Sequence, residues 1–567
     1  MSIVIHRVAG FAVHAVLASL LVVVCGSPAV AQSGDPVAAA IGIELDSLLN
    51  PQVTTIQGAS IALPEALRDF YSRRSFRPAW TRPQSTTQLL QALAESREDG
   101  LDPADYHLSQ LRELAAQVLS PNATASLKAQ YDILLTEALL RLSYHLSFGK
   151  VDPESFDAQW NYARTLERID VTQEIEDAIE TNTVYARVVA LKPTHYLYVR
   201  LKKALARYRD LEKQGGWPVL PAGPAIKPGG SDARVPALRA RLELTDDIAA
   251  QAMPDPLLYD ATLIAAVKNY QTRTGLDADG VVGAGTLEEL NIPVARRITQ
   301  LRVNLDRGRV LLNDLPARFL VVNIPGFSVY LMRGEEVEWS ARVQVGRTYR
   351  RTPIFRSEIT YLVWNPTWTV PPGIIKADIL PAARADPAAI TRKGLKVLDQ
   401  AGREVPPASV DWSKYSSGHI PYTLRQDPGP DNALGRVKFM FPNSYSVYLH
   451  DTPSQALFDR ADRAFSSGCV RVEHALQLAQ LLLDDPQRWD DAAIQRVLAA
   501  GQLQNVTLKN RIPVLLAYWT AWVDPQGRVN FRRDLYGQDR QWAAGLDAPF
   551  RLRARPLFSG NDSASTH

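Results

Sequence analysis

Near residue 317 the hydrophobic period of the chain changes. Before it, apolar residues recur at helical spacing, as in "YDILLTEALLRLSYHLSFG" (131–149) and "ITQLRVNLDRGRVLLNDLP" (298–316). After it come "RFLVVNIPGFSVYLM", "EWSARVQVG", "EITYLVWNPTWTV" and "VKFMFPNSYSVYLHD", rich in Val, Tyr, Trp and Phe and broken by Gly, Pro and Asn. Such a chain cannot be one layer type throughout: helical units precede a mainly-β unit, giving a multidomain α+β protein. With 567 residues, 46% of them hydrophobic, there is apolar material for three or four cores.

Punctuation divides the chain further. "KQGGWPVLPAGPAIKPGGSD" is dense in Gly and Pro and reads as a linker. The expected units are a leader at 1–31, a helical scaffold at 32–212, the linker at 213–231, and a small all-α unit at 232–293. A connecting helix at 294–316 and the β unit at 317–510 follow, and 511–567 packs on the latter. In the small unit Leu263, Val267 and Tyr270 line one helical face, and Gly275 sits where a helix cap belongs. Within the β unit, "IIKADILPAARADPAAITRKGLKVLDQAG" interrupts the strands and reads as a helical lid over about 374–415.

The leader explains the cysteines. His6 and Arg7 precede an apolar run that ends in the small-x-small sequence Ala29-Val30-Ala31, the pattern of an export signal cleaved after Ala31. A retained anchor is the alternative reading. Of the two cysteines, Cys25 lies inside this segment and Cys469 stands alone. A lone thiol in an exported chain is either inert and buried or reactive. A net charge of +3 without a Lys/Arg run gives no reason to expect nucleic acid as a partner. The sequence has no CxxC, no HExxH and no GxxxxGK[ST], so neither metal nor cofactor is expected.

The surroundings of Cys469 favour reactivity. "SVYLHD" is a strand whose end presents His450, and nineteen positions later Cys469 follows Ser466, Ser467 and Gly468. The run "VEHALQLAQLLL" beyond it has helical spacing, which would place the thiol before a helix N-terminus, where the dipole favours thiolate. Gly468 permits close backbone approach, so the Gly468 and Cys469 amides are expected to point at one oxygen. Asp451 is a poor orienter for His450 because adjacent strand residues face opposite ways; a backbone carbonyl fits that role better. His419 and His474 are weaker rivals for the base.

These residues carry a family resemblance. "YLHDTP" and "RAFSSGCVRVE" resemble the signature of L,D-transpeptidases, cysteine enzymes of the bacterial cell wall, and "VGRTYRRTPIF", "VWNPTWTVPPGI" and "LRQDPGPDNALGRVKFMF" are similar to further parts of that catalytic domain. "AVKNYQTRTGLDADGVVGAGTLEELN" resembles a small peptidoglycan-binding domain, with a helical spacer as the bland alternative. The likeness extends over most of the chain beyond the leader and points to the large capped Gram-negative type, which implies a periplasmic location.

It further implies a nucleophile at Cys469, a base at His450 and an oxyanion site at Gly468, acting on peptidoglycan stem peptides and glycan to form 3-3 cross-links between meso-diaminopimelate residues. Arg471 is a candidate to hold a substrate carboxylate, with a structural surface pair as the alternative, and Tyr448, Trp364 and Trp368 are candidates to line the groove, with the core as the alternative place for strand aromatics. Ser467, counted with the substrate-binding residues, departs from the pattern, since many members carry histidine there, so the role of that imidazole is absent or passes to the hydroxyl. An L,D-carboxypeptidase, a transferase anchoring proteins to the wall, or a non-catalytic wall-binding scaffold are the alternatives. Penicillin-binding proteins are conceivable partners, and the acceptor and oligomeric state stay open.

Overall fold

Helix Ala125–Phe148 shows how the first half is built. The side chain of Thr124 caps its first turn by accepting the Leu127 N–H, and the chain leaves it through Gly149. Buried on most sides, it is the centre of a first core with Ile41, Leu67, Leu93 and Leu111. Its buried charged residues are partnered: the Tyr71 hydroxyl donates to Asp132 at 2.6 Å and Arg141 Nε to Glu137 at 2.9 Å. The computed structural model describes residues 34–50, 52–155, 171–250, 254–313 and 315–550; the leader read at 1–31 lies outside the described residues.

The expected boundaries at 212 and 231 both change. The core of the scaffold ends at Val188, and helix Tyr196–Lys213, counted with it, packs instead into the core of the β unit. Residues 213–231 are not a free linker. Leu220 and Ile226 are buried in the small domain, Ile226 pairs with Val282, and Asn291 bonds both backbone groups of Leu220. In that domain helix Ala261–Thr274 is capped by Asp260 and ends at Gly275 with φ +77°, the left-handed cap anticipated from the sequence.

The connecting helix, Val294–Leu311, is buried nearly all round and ties the units together. Asp306 accepts the Lys150 N–H at 2.8 Å and the Trp542 Nε1–H at 2.9 Å, and pairs with Arg309. Arg307 pairs with Asp539, and Asn304 donates to Thr520. Scaffold, sheet and C-terminal region thus share one set of buried charges, each compensated by hydrogen bonds or an opposite charge.

The β unit is a nine-stranded sheet: β1 (Arg318–Asn323), β2 (Ser328–Arg333), β3 (Glu336–Gly346), β4 (Phe355–Trp364), β5 (Val437–Met440), β6 (Leu449–His450), β7 (Ala464–Ser466), β8 (Val470–Val472) and β9 (Gln504–Ala517). The spatial order is β7-β3-β8-β6-β5-β4-β9-β1-β2, and β2 also pairs with β3, so the sheet closes on itself. Strand β9 crosses the boundary expected at 510, pairing with β4 on both sides of an irregularity between Thr507 and Ile512. Lys509, Asn510 and Arg511 are exposed there and break the alternation, which hides the strand in the sequence.

The insertion between β4 and β5 also differs from a helical lid at 374–415. Trp368–Thr369, Lys396–Leu398, Glu404–Val405 and Thr423–Gln426 form a separate four-stranded antiparallel sheet. Helices Leu380–Ala385 and Ala388–Arg392 join it around Val370, Ile379, Val397, Trp412 and Leu424. The lid is therefore a mixed α/β subdomain with a core of its own.

Candidate active site

Pleating assembles the site. Strands β6 and β8 run parallel, with Leu449 opposite Val470 and His450 opposite Arg471. Leu449, Val470 and Val472 are fully buried in the core, so Tyr448, His450, Cys469 and Arg471 fall on the other face. One strand further, Lys438 of β5 stands opposite His450 and joins them.

His450 is buried, and its Nδ1 lies 2.5 Å from the Asp451 carbonyl oxygen. With Nδ1–H donating to that carbonyl, Nε2 keeps its lone pair and can accept a proton. The Asp451 carboxylate turns away to the Arg436 N–H and Nε, at 2.9 and 3.1 Å. Burial and then the Arg471 charge push the His450 pKa down to about 3, so the ring is neutral at ordinary pH.

Cys469 is half-buried in the turn between β7 and β8. Burial pushes its thiol up, while the Tyr448 amide and hydroxyl, Lys438 and Arg471 pull it down. Resting thiol and imidazole are both uncharged.

Cys469 does not precede a helix, so no helix dipole favours its thiolate. Val470–Val472 is a strand held by β6 and β3, and helix Ala475–Leu483 starts only after it. The oxyanion expectation also changes for Gly468: its N–H already donates to Ser466 Oγ at 3.1 Å, and Ser466 Oγ–H donates to the Cys469 carbonyl at 2.5 Å. Gly468 contributes conformation instead, with φ +115°, which L side chains rarely adopt. Among the described residues the Cys469 N–H has no hydrogen-bond partner and remains the available donor.

The other expected residues divide. Tyr448 lies in the site, packed edge-on to His450 with ring centroids 5.7 Å apart. Arg471 Nη1 donates to Gln344 at 3.1 Å. Trp364 is no groove residue: it has 0% exposure and stacks on Trp489 inside the core. Trp368 belongs to the lid sheet and packs on the lid core. His419 is exposed on the lid and His474 is exposed beyond β8.

Three family models match this chain: a "Scaffold domain" at residues 65–205, a "Putative peptidoglycan binding domain" at 233–290, and an "L,D-transpeptidase catalytic domain" at 317–491, which contains Cys469 and His450. Residues 317–491 are thus similar to an L,D-transpeptidase catalytic domain. A "Putative L,D-transpeptidase" of Haemophilus influenzae is 41% identical over 253 residues, covering 44% of this chain and 50% of that protein. The match thus spans half the length of that relative.

Crystal structures of L,D-transpeptidases from Xylanimonas cellulosilytica and Stackebrandtia nassauensis align at 15% and 12% identity. Each alignment covers 52% of this chain, with 99% and 97% of theirs, at TM-scores of 0.18 and 0.20.

Residues outside the motifs hold the Cys469 turn in place. Thr352 Oγ1–H donates to the Gly468 carbonyl at 2.8 Å while accepting the Gly346 N–H at 2.8 Å. The Tyr536 hydroxyl accepts the Thr352 N–H at 3.1 Å and donates to the Gly346 carbonyl at 2.7 Å. Removing that hydroxyl leaves two buried backbone groups unsatisfied. Tyr536→Phe is therefore expected to destabilise the domain by about 1–3 kcal/mol, read by chemical denaturation; an unchanged midpoint would remove the hydroxyl from this role.

Ser467 is exposed, and its Oγ accepts from Arg350 Nη1 at 2.8 Å. The same guanidinium grips Asp378 of the lid at 2.5 and 3.2 Å. Arg350 thus joins lid and catalytic turn through the residue at which this chain departs from the common histidine.

Proposed function

We propose that the protein is a peptidoglycan L,D-transpeptidase that forms 3-3 cross-links through a thioester on Cys469, in the periplasm of a cell that exports it. The observation that carries this reading is the shared face of β6 and β8, which presents a thiol, a carbonyl-oriented neutral histidine and a Cys469 N–H without a partner among the described residues.

Cys469 Sγ attacks the carbonyl of the third stem residue, the L-centre of meso-diaminopimelate, and its proton passes to His450 Nε2. The Cys469 N–H donates to the oxyanion. The C–N bond to D-alanine breaks, the leaving amine takes the proton from His450, and the thioester remains. The side-chain amine of a second stem then attacks the thioester, forming the cross-link amide. Its proton is taken up by His450 and returned to the departing thiolate.

Transfer outruns hydrolysis only where water is kept from the thioester, and the Arg350 bridge holds the lid against the catalytic turn. Arg350→Met is expected to raise the ratio of hydrolysed tripeptide to cross-linked dimer, measured by chromatography of the products. An unchanged ratio would contradict this role for the lid.

Mass spectrometry of muropeptides formed from purified tetrapeptide-bearing peptidoglycan tests the function itself. The expected product is a dimer joined between two diaminopimelate residues. Release of D-alanine with tripeptides alone would show a carboxypeptidase.

A further inference from the structure

Lys438 has no task in the reaction just described, and its placement gives it one. It lies in β5 between Val437 and Phe439, both fully buried in the core, so the pleat turns its side chain to the face of Cys469. It stands opposite His450, and its Nζ sits 3.8 Å from the centroid of the Tyr448 ring. An ammonium over an aromatic face is held in position while keeping its full charge.

The other cations near the thiol are committed. Arg471 donates to Gln344 and faces the like charge of Arg347, and Arg350 is neutralised by Asp378. From β6 the thiol is faced by the Tyr448 amide and hydroxyl, and the neighbouring His450 is held neutral by burial. Among the described residues, Lys438 is the cation of this face that makes neither an ion pair nor a hydrogen bond.

We propose that Lys438 is a positioning residue for the nucleophile: its ammonium, seated on the Tyr448 ring, stabilises the Cys469 thiolate that forms when the thiol proton leaves for His450. This rests on Cys469 being the nucleophile. The charges of Lys438 and Cys469 act on each other, each favouring the other's ionised form against its burial. A hydrophobic replacement removes that help; arginine, also able to stack on the ring, restores it.

The test is the rate at which iodoacetamide alkylates Cys469 in the full-length protein from about pH 7 to pH 10, with peptide mapping to separate Cys469 from Cys25. In Lys438→Met the profile is expected to move about one unit to higher pH, making alkylation below the midpoint roughly tenfold slower. Lys438→Arg should stay within about twofold of the parent. If the methionine variant fails to fold by circular dichroism, Lys438→Gln takes its place with the same expectation.

An unchanged profile in a folded methionine or glutamine variant overturns the proposal. So does an arginine variant displaced as far as methionine, and so does an unchanged profile with a raised KM for the donor peptide, which would assign Lys438 to the substrate. Alkylation reads the thiol alone, so these outcomes are separate from a failure of Cys469 to form a thioester.

Discussion

Cys469→Ala is expected to abolish thioester formation and cross-linking together, a fall of roughly four to six powers of ten in turnover. The chain holds one other cysteine, Cys25, in the N-terminal run that reads as a leader. Cys469→Ser should fare little better, because a hydroxyl stays protonated where a thiol can ionise. Product analysis by mass spectrometry reads both variants, and cross-linked dimer from a folded Cys469→Ala protein would refute a thioester on this residue.

His450→Ala should slow acylation by about two to four powers of ten, the usual range for a general base, while the thiol remains present for alkylation. Its pH dependence is equally specific. Because the ring is held down to about 3, the basic form of His450 is fully present at every pH well above that value. Acylation should therefore show no falling limb near pH 6.5, where an ordinary histidine takes up its proton.

The same depressed pKa has the opposite sign for stability. As pH drops below 6.5 the unfolded chain protonates this histidine and the folded one does not, so its contribution is complete above 6.5 and fades toward about 3. The loss amounts to about 1.4 kcal/mol per pH unit. A falling limb near 6.5 in the acylation rate, or a His419→Ala variant more damaged than His450→Ala, would move the base elsewhere.

What the sequence discloses follows the range of the interactions. The period change near 317 and the Gly275 cap are local, and so is the opposition of His450 and Asp451 side chains, which made a backbone carbonyl the expected orienter. Pairing between distant segments is not local. Lys438 reads as one charge in "VKFMF", and only the β5–β6 register brings it to the thiol. Thr352 and Tyr536 lie 184 residues apart in sequence yet share a hydrogen bond behind the catalytic turn.

Trp364 was misplaced because alternation tells which residues share a face without telling which face is interior; closure of the sheet decides that. The short strand Val470–Val472 was masked by the helical spacing of the run that follows it. In the lid, the helical look of 374–392 concealed strands whose partners lie beyond its expected end, such as Lys396–Leu398 with Thr423–Gln426.

The most direct test of the central claim is intact-protein mass spectrometry after incubation with a carbapenem, followed by peptide mapping. Attack by Cys469 opens the β-lactam ring, breaking its C–N bond and forming an S–C bond with no leaving group. The mass should therefore rise by one whole drug molecule per chain. The account predicts that single adduct on the peptide containing Cys469, its absence from Cys469→Ala, and a loss of cross-linking in the treated enzyme. An adduct on any other residue, or none on fully folded protein, would contradict it.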